Sequence, residues 1–334
     1  MAIYHNENKD KEIKLINKIF ISYIIGIYMN NTEIPISSDL AYSFVGTRTF
    51  YFYFNLSSSL IQLNSLFSNC SSLISISFGN FDTSKISYIN SMFSNCTSLR
   101  SIDFSNMNTS NIVEIYDIFS GCYSLISLNL SNFDTSKITD MSGMFSGLHS
   151  LISLNLSNFN TSNVKRLRYM FSFCSSLVSV NFDSFDTSNV THMDGMFMEC
   201  TSLVSLNFSN FNTSLVRDFD NLFYNCRSLK SIDFPNFTVS NVLSLYNLFY
   251  NCSSLTSIDL STFNNNKTCD YSSIFRNCIK LSYIDIWKFT NLYSQHSFEN
   301  ISHSGTIKIN KNVITKIQDT FKALRLDWKI IISL

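Results

Sequence analysis

The sequence predicts an α/β repeat solenoid: a parallel sheet backed by short helical segments and capped at both ends. Three observations carry this. Cys70, Cys96, Cys122, Leu148, Cys174, Cys200, Cys226, Cys252 and Cys278 follow one another at a constant spacing of 26 (96 − 70, 122 − 96, and so on). A fixed period between about 20 and 50 residues marks a stack of units that bury their faces only against neighbours. Each unit then carries a short in–out alternation, as in Val180, Asn181 and Phe182, and a polar Asp/Asn-Thr-Ser break after it. Finally, the period fails outside residues 44–290, leaving 1–43 and 291–334 as separate terminal segments.

Composition narrows the functional classes. The chain has 334 residues, 24 basic and 24 acidic, with a formal net charge of zero. That balance argues against nucleic acid or an anionic membrane as the main partner, since both select a basic excess. Charged residues make up only 14%, and Ser, Thr and Asn take their surface places. Eight of the nine Cys share one phase of the repeat, and Cys269 stands apart. Stacked strands lie about 4.8 Å apart, so the spacing alone permits disulfides. The fourth position decides the matter: Leu148 replaces Cys without disturbing the period, so the position is used as a small buried hydrophobe and the thiols are read as reduced. There is no CxxC pair, and His5, His149, His192, His296 and His303 are scattered, so no zinc and no other cofactor is expected.

In residues 1–43, Ile13, Ile16, Phe20, Tyr23, Ile24 and Ile27 form a helical stripe within Lys11–Met29. The apolar run Ile19–Met29 falls short of the about 20 residues a membrane span requires. Glu7, Asp10 and Glu12 dilute the basic start of a signal peptide, and Asn30, Asn31, Thr32 and Glu33 stand where a small-residue cleavage site belongs. The segment is therefore read as a helix covering the first rung, with a targeting segment as the alternative. Thr49–Phe54 reads as a first strand, which makes Phe44–Asn69 a degenerate opening repeat.

Within each unit a Leu follows the Cys by three residues (Leu73, Leu99, Leu177, Leu255), with apolar residues after it (Ile76 and Phe78, Val180 and Phe182). That alternation is a strand with one buried face, pairing with its copies in parallel. The Asp/Asn-Thr-Ser triplet bonds its own backbone and caps the next element. In that element Val190, Met193, Met196, Phe197 and Cys200 span about 120° of a helical wheel, the width of a core-facing stripe. A Phe recurs at one phase from Phe67 to Phe275; an aromatic row repeated on every rung belongs to the core rather than to a cofactor pocket. After 291, Gly305–Asn310, Val313–Leu324 and Trp328–Ile332 read as a strand–helix–strand cap.

The pattern Cys-x-Ser-Leu-x-Ser-Leu-x-Leu-Ser-Asn-Phe-Asp-Thr-Ser-x-Val-x-x-Met-x-x-Met-Phe resembles the BspA-like leucine-rich repeats of surface proteins from mycoplasmas, gut and oral bacteria, and protists. The likeness covers about residues 44–290. It implies a right-handed leucine-rich-repeat-like solenoid displayed at the cell surface or secreted, used for adhesion or binding to a protein, host or extracellular matrix, or to a surface glycan. The Asn of the standard repeat is displaced here, since its phase holds an inward Phe.

Binding residues are expected on the exposed sheet face, where equal phases line up. One row varies: Ile74, Arg100, Ile126, Ile152, Val178, Val204, Lys230 and Thr256. A second is Ser, and a third is Asp103, Asn129, Asn155, Asn181, Asn207, Asp233, Asp259 and Asp285. Adjacent aliphatics rimmed by Ser and Asn suit a contact patch, although β-branched residues favour strands in any case. Stacked Asp233, Asp259 and Asp285 would draw a cation or a basic partner, or would simply be solvated. Lys165, Arg166 and Arg168, offset by Asp140, Asp194, Asp218 and Asp220, are read as a solvated helical face. Asn-x-Ser/Thr triplets at Asn55, Asn108, Asn160, Asn212 and Asn236 follow from the composition of the repeat. No Ser/His/Asp grouping or glycine-rich phosphate loop is present, so the chain is not expected to be an enzyme. The alternative to surface adhesion is an intracellular interaction scaffold.

Overall fold

The computed structural model describes residues 1–8, 10–54, 60–263, 269–289 and 295–333. The Asn55 triplet and the 290/291 boundary lie outside them. Along the array, equal phases of successive units pair in parallel. Strand β7 (Leu73–Ser77) sets Ser75 against Ser101 and Ser77 against Asp103 of β8 (Ser101–Asp103). Farther on, β9 (Ser153–Asn155) pairs with β10 (Ser179–Asn181), and β11 (Ser257–Asp259) with β12 (Tyr283–Ile286), again without a register shift. A second parallel ladder runs up the other side as single-residue bridges from Gln62 through Tyr88, Glu114, Asp140, Arg166, His192, Asp218 and Ser244 to Asp270. The fold is thus a β-solenoid whose rungs are held along two edges.

The segment expected to be helical is a chain of tight turns. Within it, alternate amides bond in two directions. Leu66, Ser68 and Cys70 donate to the carbonyls three residues back, while Ser65, Phe67 and Asn69 donate to Asn90, Met92 and Ser94 of the next rung. A helix would have kept all of these bonds to itself. The cause is visible in the backbone. Two residues of each turn chain hold positive φ, such as Asn69 (62°), Asn95 (60°), Gly147 (74°) and Gly195 (61°). One left-handed residue ends a helix, and it suits Gly or Asn. The stripe at Val190, Met193, Met196, Phe197 and Cys200 comes from turns three residues long that repeatedly return an apolar side chain to the core.

That core is an aromatic column. Successive rings from Phe67 and Phe93 (5.7 Å between centroids, 2° between planes) to Phe249 and Phe275 (6.0 Å, 7°) stack nearly parallel. The Cys row lies beside it. Each described Cys is free and buried, and Cys200 donates its thiol to the carbonyl of Phe171 at 3.0 Å. Across the core, buried Thr residues replace the asparagine ladder. The Thr161 hydroxyl donates to the Asp186 carbonyl (2.9 Å) and accepts the Asp186 amide (2.8 Å). Thr83, Thr135, Thr187 and Thr213 repeat the arrangement on the rungs around it.

The N-terminal segment differs from its expected form. No helix spans Lys11–Met29. A 3-10 turn covers Lys18–Tyr23, and Ile24–Met29 is a strand, in keeping with the β-branched residues Ile19, Ile21, Ile24, Ile25 and Ile27. Thr49–Phe54 lies within a strand, Gly46–Phe54, but it does not open the parallel stack. Residues Ala2–Asn6 insert between it and β7, antiparallel to both, and Tyr4 packs edge-on against Phe50 at 5.4 Å. Beyond β12, strands Ser304–Asn310 and Asp327–Ser333 continue the sheet in parallel, with the helix Ile314–Leu324 between them.

Candidate functional site

The variable row lines up at the leading lip of the sheet. Leu177 is buried, the next residues Val178 and Ser179 both face solvent, and in–out alternation begins only at Ser179. Ile152 and Val178 therefore stand just before β9 and β10 rather than within them. Backbone bonds join neighbouring members of the row on either side of Ile126: Arg100 donates to Ile74 (2.8 Å), Val178 to Ile152 (3.0 Å) and Lys230 to Val204 (3.3 Å). Ile126, Ile152 and Val178 are 65%, 62% and 42% exposed, in an array whose inward Leu row is at 0%. Val204 is half-buried, and Arg100 and Lys230 stand exposed at the two ends of the apolar strip. At the first end the N-terminal loop overhangs the row, so that His5, Glu7 and Lys11 with Ile74, Arg100 and Ser124 enclose a cleft of about 450 Å³.

The Asn/Asp row is exposed but occupied. Side-chain oxygens of Asp103, Asn129, Asn155, Asn181, Asn207 and Asp259 accept the amide two residues on, closing the turn that ends each strand. These bonds, with one from the Ser77 hydroxyl, hold the Asp103 carboxyl below the ordinary range. Asp233 is the exception. Its partner position is Pro235, which has no amide to give. A cleft of about 590 Å³ opens there between Asn207, Ser209, Asp233, Pro235, Asp259 and Ser261. The expected carboxylate ladder ends early, because Asp285 is buried and bonded to Lys308 at 3.0 Å by the following strand.

The opposite face is a ladder rather than a helical surface. Arg166 pairs with Asp140 one rung back (3.4 Å) and Arg168 with Asp194 one rung on (2.6 Å), so the two arginines of the basic spot are compensated. Burial pushes the Asp218 carboxyl up, and it raises Asp220 to about 6. The bridge row from Gln62 to Asp270 varies more than the sheet row; sequence reasoning took its Asp140, Arg166 and Asp218 for a helical face and missed the ladder. Its signal was present as a single changing position before an apolar residue on every rung. Among the described residues no group of three or more His, Cys, Asp or Glu is placed to hold a metal ion, and no helix is long and apolar enough to cross a membrane.

With this geometry in view, the chain can be compared with known proteins. Residues 59–177, 121–206 and 204–316 match the family described as "Mycoplasma protein of unknown function, DUF285". No curated protein sequence matches the chain. Among solved structures, the chain is similar to a leucine-rich repeat protein from Bacteroides ovatus, at 19% identity over 89% of this chain and 91% of that one, with a TM-score of 0.32. It is also similar to a chain of a TLR13–ssRNA13 complex, at 14% identity over 82% of this chain and 52% of that one, with a TM-score of 0.29.

Proposed function

We propose that this chain, which belongs to the family of Mycoplasma proteins of unknown function DUF285, is a non-enzymatic binding module that captures a protein partner on the lip of its sheet. The observation that carries this is the strip Ile126, Ile152 and Val178, exposed at 65%, 62% and 42%, with the Val178 amide bonded to the Ile152 carbonyl. Exposed apolar side chains in a contiguous row mark contact surfaces. Arg100 and Lys230 at the ends of the strip set polarity and register, as rim charges do. The acidic row has no part in this reading: Asp259 closes its turn and Asp285 is bonded to Lys308, which leaves Asp233 alone.

The test is replacement of Ile126, Ile152 and Val178 together by Glu, followed by capture of a panel of purified extracellular-matrix proteins. Capture is expected to fall at least tenfold while the melting curve stays in place. Unchanged capture would remove the lip as the site. Adhesion outside the cell, implied by the likeness to surface repeats, is a separate part of the proposal, and an intracellular scaffold is its rival. The reduced state of Cys200 and its neighbours favours the rival. Protease treatment of intact cells discriminates the two: loss of the array supports display outside, and full protection with cleavage in lysed cells supports the scaffold.

A further inference from the structure

The strip on the lip has a fixed step and a charge at either end. Its members stand one per rung, and rungs repeat at about 4.8 Å. Ile126, Ile152, Val178 and Val204 therefore make a single file about 14 Å long. Their surface neighbours in sequence are small: Ser150 and Ser153 around Ile152, and Ser176 and Ser179 around Val178. The aliphatic side chains thus stand proud of their flanks, and a partner can close on them from both sides.

The same row runs on into Arg100 at one end and Lys230 at the other. These two are five periods of 26 apart (230 − 100 = 130), about 24 Å along the stack. Both are exposed, and neither has an acidic partner among the described residues. At the Arg100 end, Lys11 adds a second cation to the cleft, against Glu7 alone. The lip is apolar in its middle and basic at both ends.

We propose that the lip receives an amphipathic α-helix of a protein partner, with an acidic residue at each end of its apolar stripe; this rests on the lip being the binding face. Step length selects the helix. Apolar residues alternating at steps of three and four recur about every 5 Å along a helix, so four of them span about 16 Å, close to the length of the strip. On one face of an extended strand residues recur about every 6.8 Å, so four would span about 20 Å and the outer two would miss their rungs. A carboxylate three residues beyond each end of the helical stripe sets the pair about 25 Å apart, which reaches Arg100 and Lys230 together. Partner helices laid on apolar surfaces are held by such a file of anchors.

The test is binding of labelled synthetic peptides to the full chain, read by fluorescence anisotropy. The first peptide is a helix former with Leu at the four stripe positions and Glu at both ends. The second is the same peptide with two Pro at its centre, which no helix accommodates. The third carries the same Leu and Glu residues at every second position, as an extended face. The first is expected to bind, and the other two about tenfold more weakly. Replacing Ile126, Ile152 and Val178 by Glu should weaken the first about tenfold. Arg100→Glu with Lys230→Glu, both at exposed positions and expected to leave Tm in place, should weaken it about fivefold, and a helix with Lys at both ends should recover that loss. Absence of helical-peptide binding, equal binding of the Pro peptide, tighter binding of the extended peptide, or no recovery by the Lys-ended helix would each overturn the proposal. So would equal affinity after the lip is replaced. Matrix-protein capture separates this from the broader reading: capture lost on replacing the lip, with no helical peptide bound, sinks the helix and leaves the lip as the site. Capture unchanged, with no helical peptide bound, sinks both.

Discussion

The Thr161 hydroxyl shows how single atoms hold neighbouring rungs together. It donates to one backbone group of Asp186 and accepts from the other. Replacement by the similarly shaped Val removes both bonds and fills the same space, so Thr161→Val should cost about 1–3 kcal/mol. Urea unfolding would measure this, with exposed Ser157→Ala, which is expected to change little, as the control. The Cys row behaves differently. Burial pushes the Cys174 thiol up to about 12 from an ordinary 9.0. A thiol raised on folding is protonated in the native state while its unfolded counterpart ionises, so its contribution is complete below about pH 9 and is lost as pH climbs toward 12. The slope is about 1.4 kcal/mol per pH unit for each such group. Cys174→Ala should therefore be less stable than the parent at pH 8, by about 1–2 kcal/mol for the lost methylene-sized volume and thiol bond. That gap should close as pH rises from 9 to 11. Denaturant midpoints across this range check the prediction, and a constant gap would refute it. The reduced, buried state of the thiols was legible from Leu148 alone. The hydrogen bond that thiols from Cys96 to Cys278 in this phase make to the Phe carbonyl one rung back was not, because a spacing of 29 residues carries meaning only once the rungs are stacked.

At the scale of the element, the strand with its parallel, equal-phase pairing was legible and the backing element was not. The apolar residues at Val190, Met193, Met196, Phe197 and Cys200 fit a helical stripe, and tight turns of three residues return side chains inward at nearly the same positions. The distinguishing residues were the Gly and Asn that recur one or five places before the Cys phase (Leu148 on one rung), such as Gly143, Gly147, Gly195 and Asn225, whose φ values of 60°, 74°, 61° and 63° no helix accommodates. Two predictions belong here. Gly195→Ala should destabilise the rung, because the new Cβ meets the Tyr169 ring at 2.2 Å on a backbone that disfavours it. A loss of about 1–2 kcal/mol is expected from the backbone alone, and thermal unfolding would report it. Ser91→Gly, at a position of the same handedness (φ 54°) whose hydroxyl bonds to no described residue, should be nearly neutral by the same measurement. Second, the α-helix of the described residues is confined to Ile314–Leu324, which is 11 residues. Far-ultraviolet dichroism should therefore show a β and turn spectrum with a minor helical component, whereas a helix in each of the nine repeats would give a dominant one.

Over the whole molecule, the array was legible because each rung specifies only its neighbour, so a periodic sequence suffices. The start of the chain was not, because Ala2–Asn6 reaches β7 across some seventy residues, and no local pattern announces an antiparallel insertion. The same nearest-neighbour logic governs stability. Phe197 is fully buried and stacks on Phe171 at 5.5 Å and on Phe223 at 5.8 Å. Phe197→Ala therefore weakens two interfaces at once, at about 3–5 kcal/mol in total. In a compact domain that cost would lower protection against hydrogen exchange everywhere by a similar amount. In a stack whose units contact only their neighbours, stability is a sum of rung and interface contributions, so the loss should be greatest near the lesion and fade toward the ends. The amides of Phe171 and Phe197, which bond to the next rung, should exchange fastest relative to the parent. Those of Phe67 and Phe249 should be little changed. Uniform acceleration along the array would mean that the rungs unfold as a single cooperative block, and that the column of rings couples them beyond nearest neighbours.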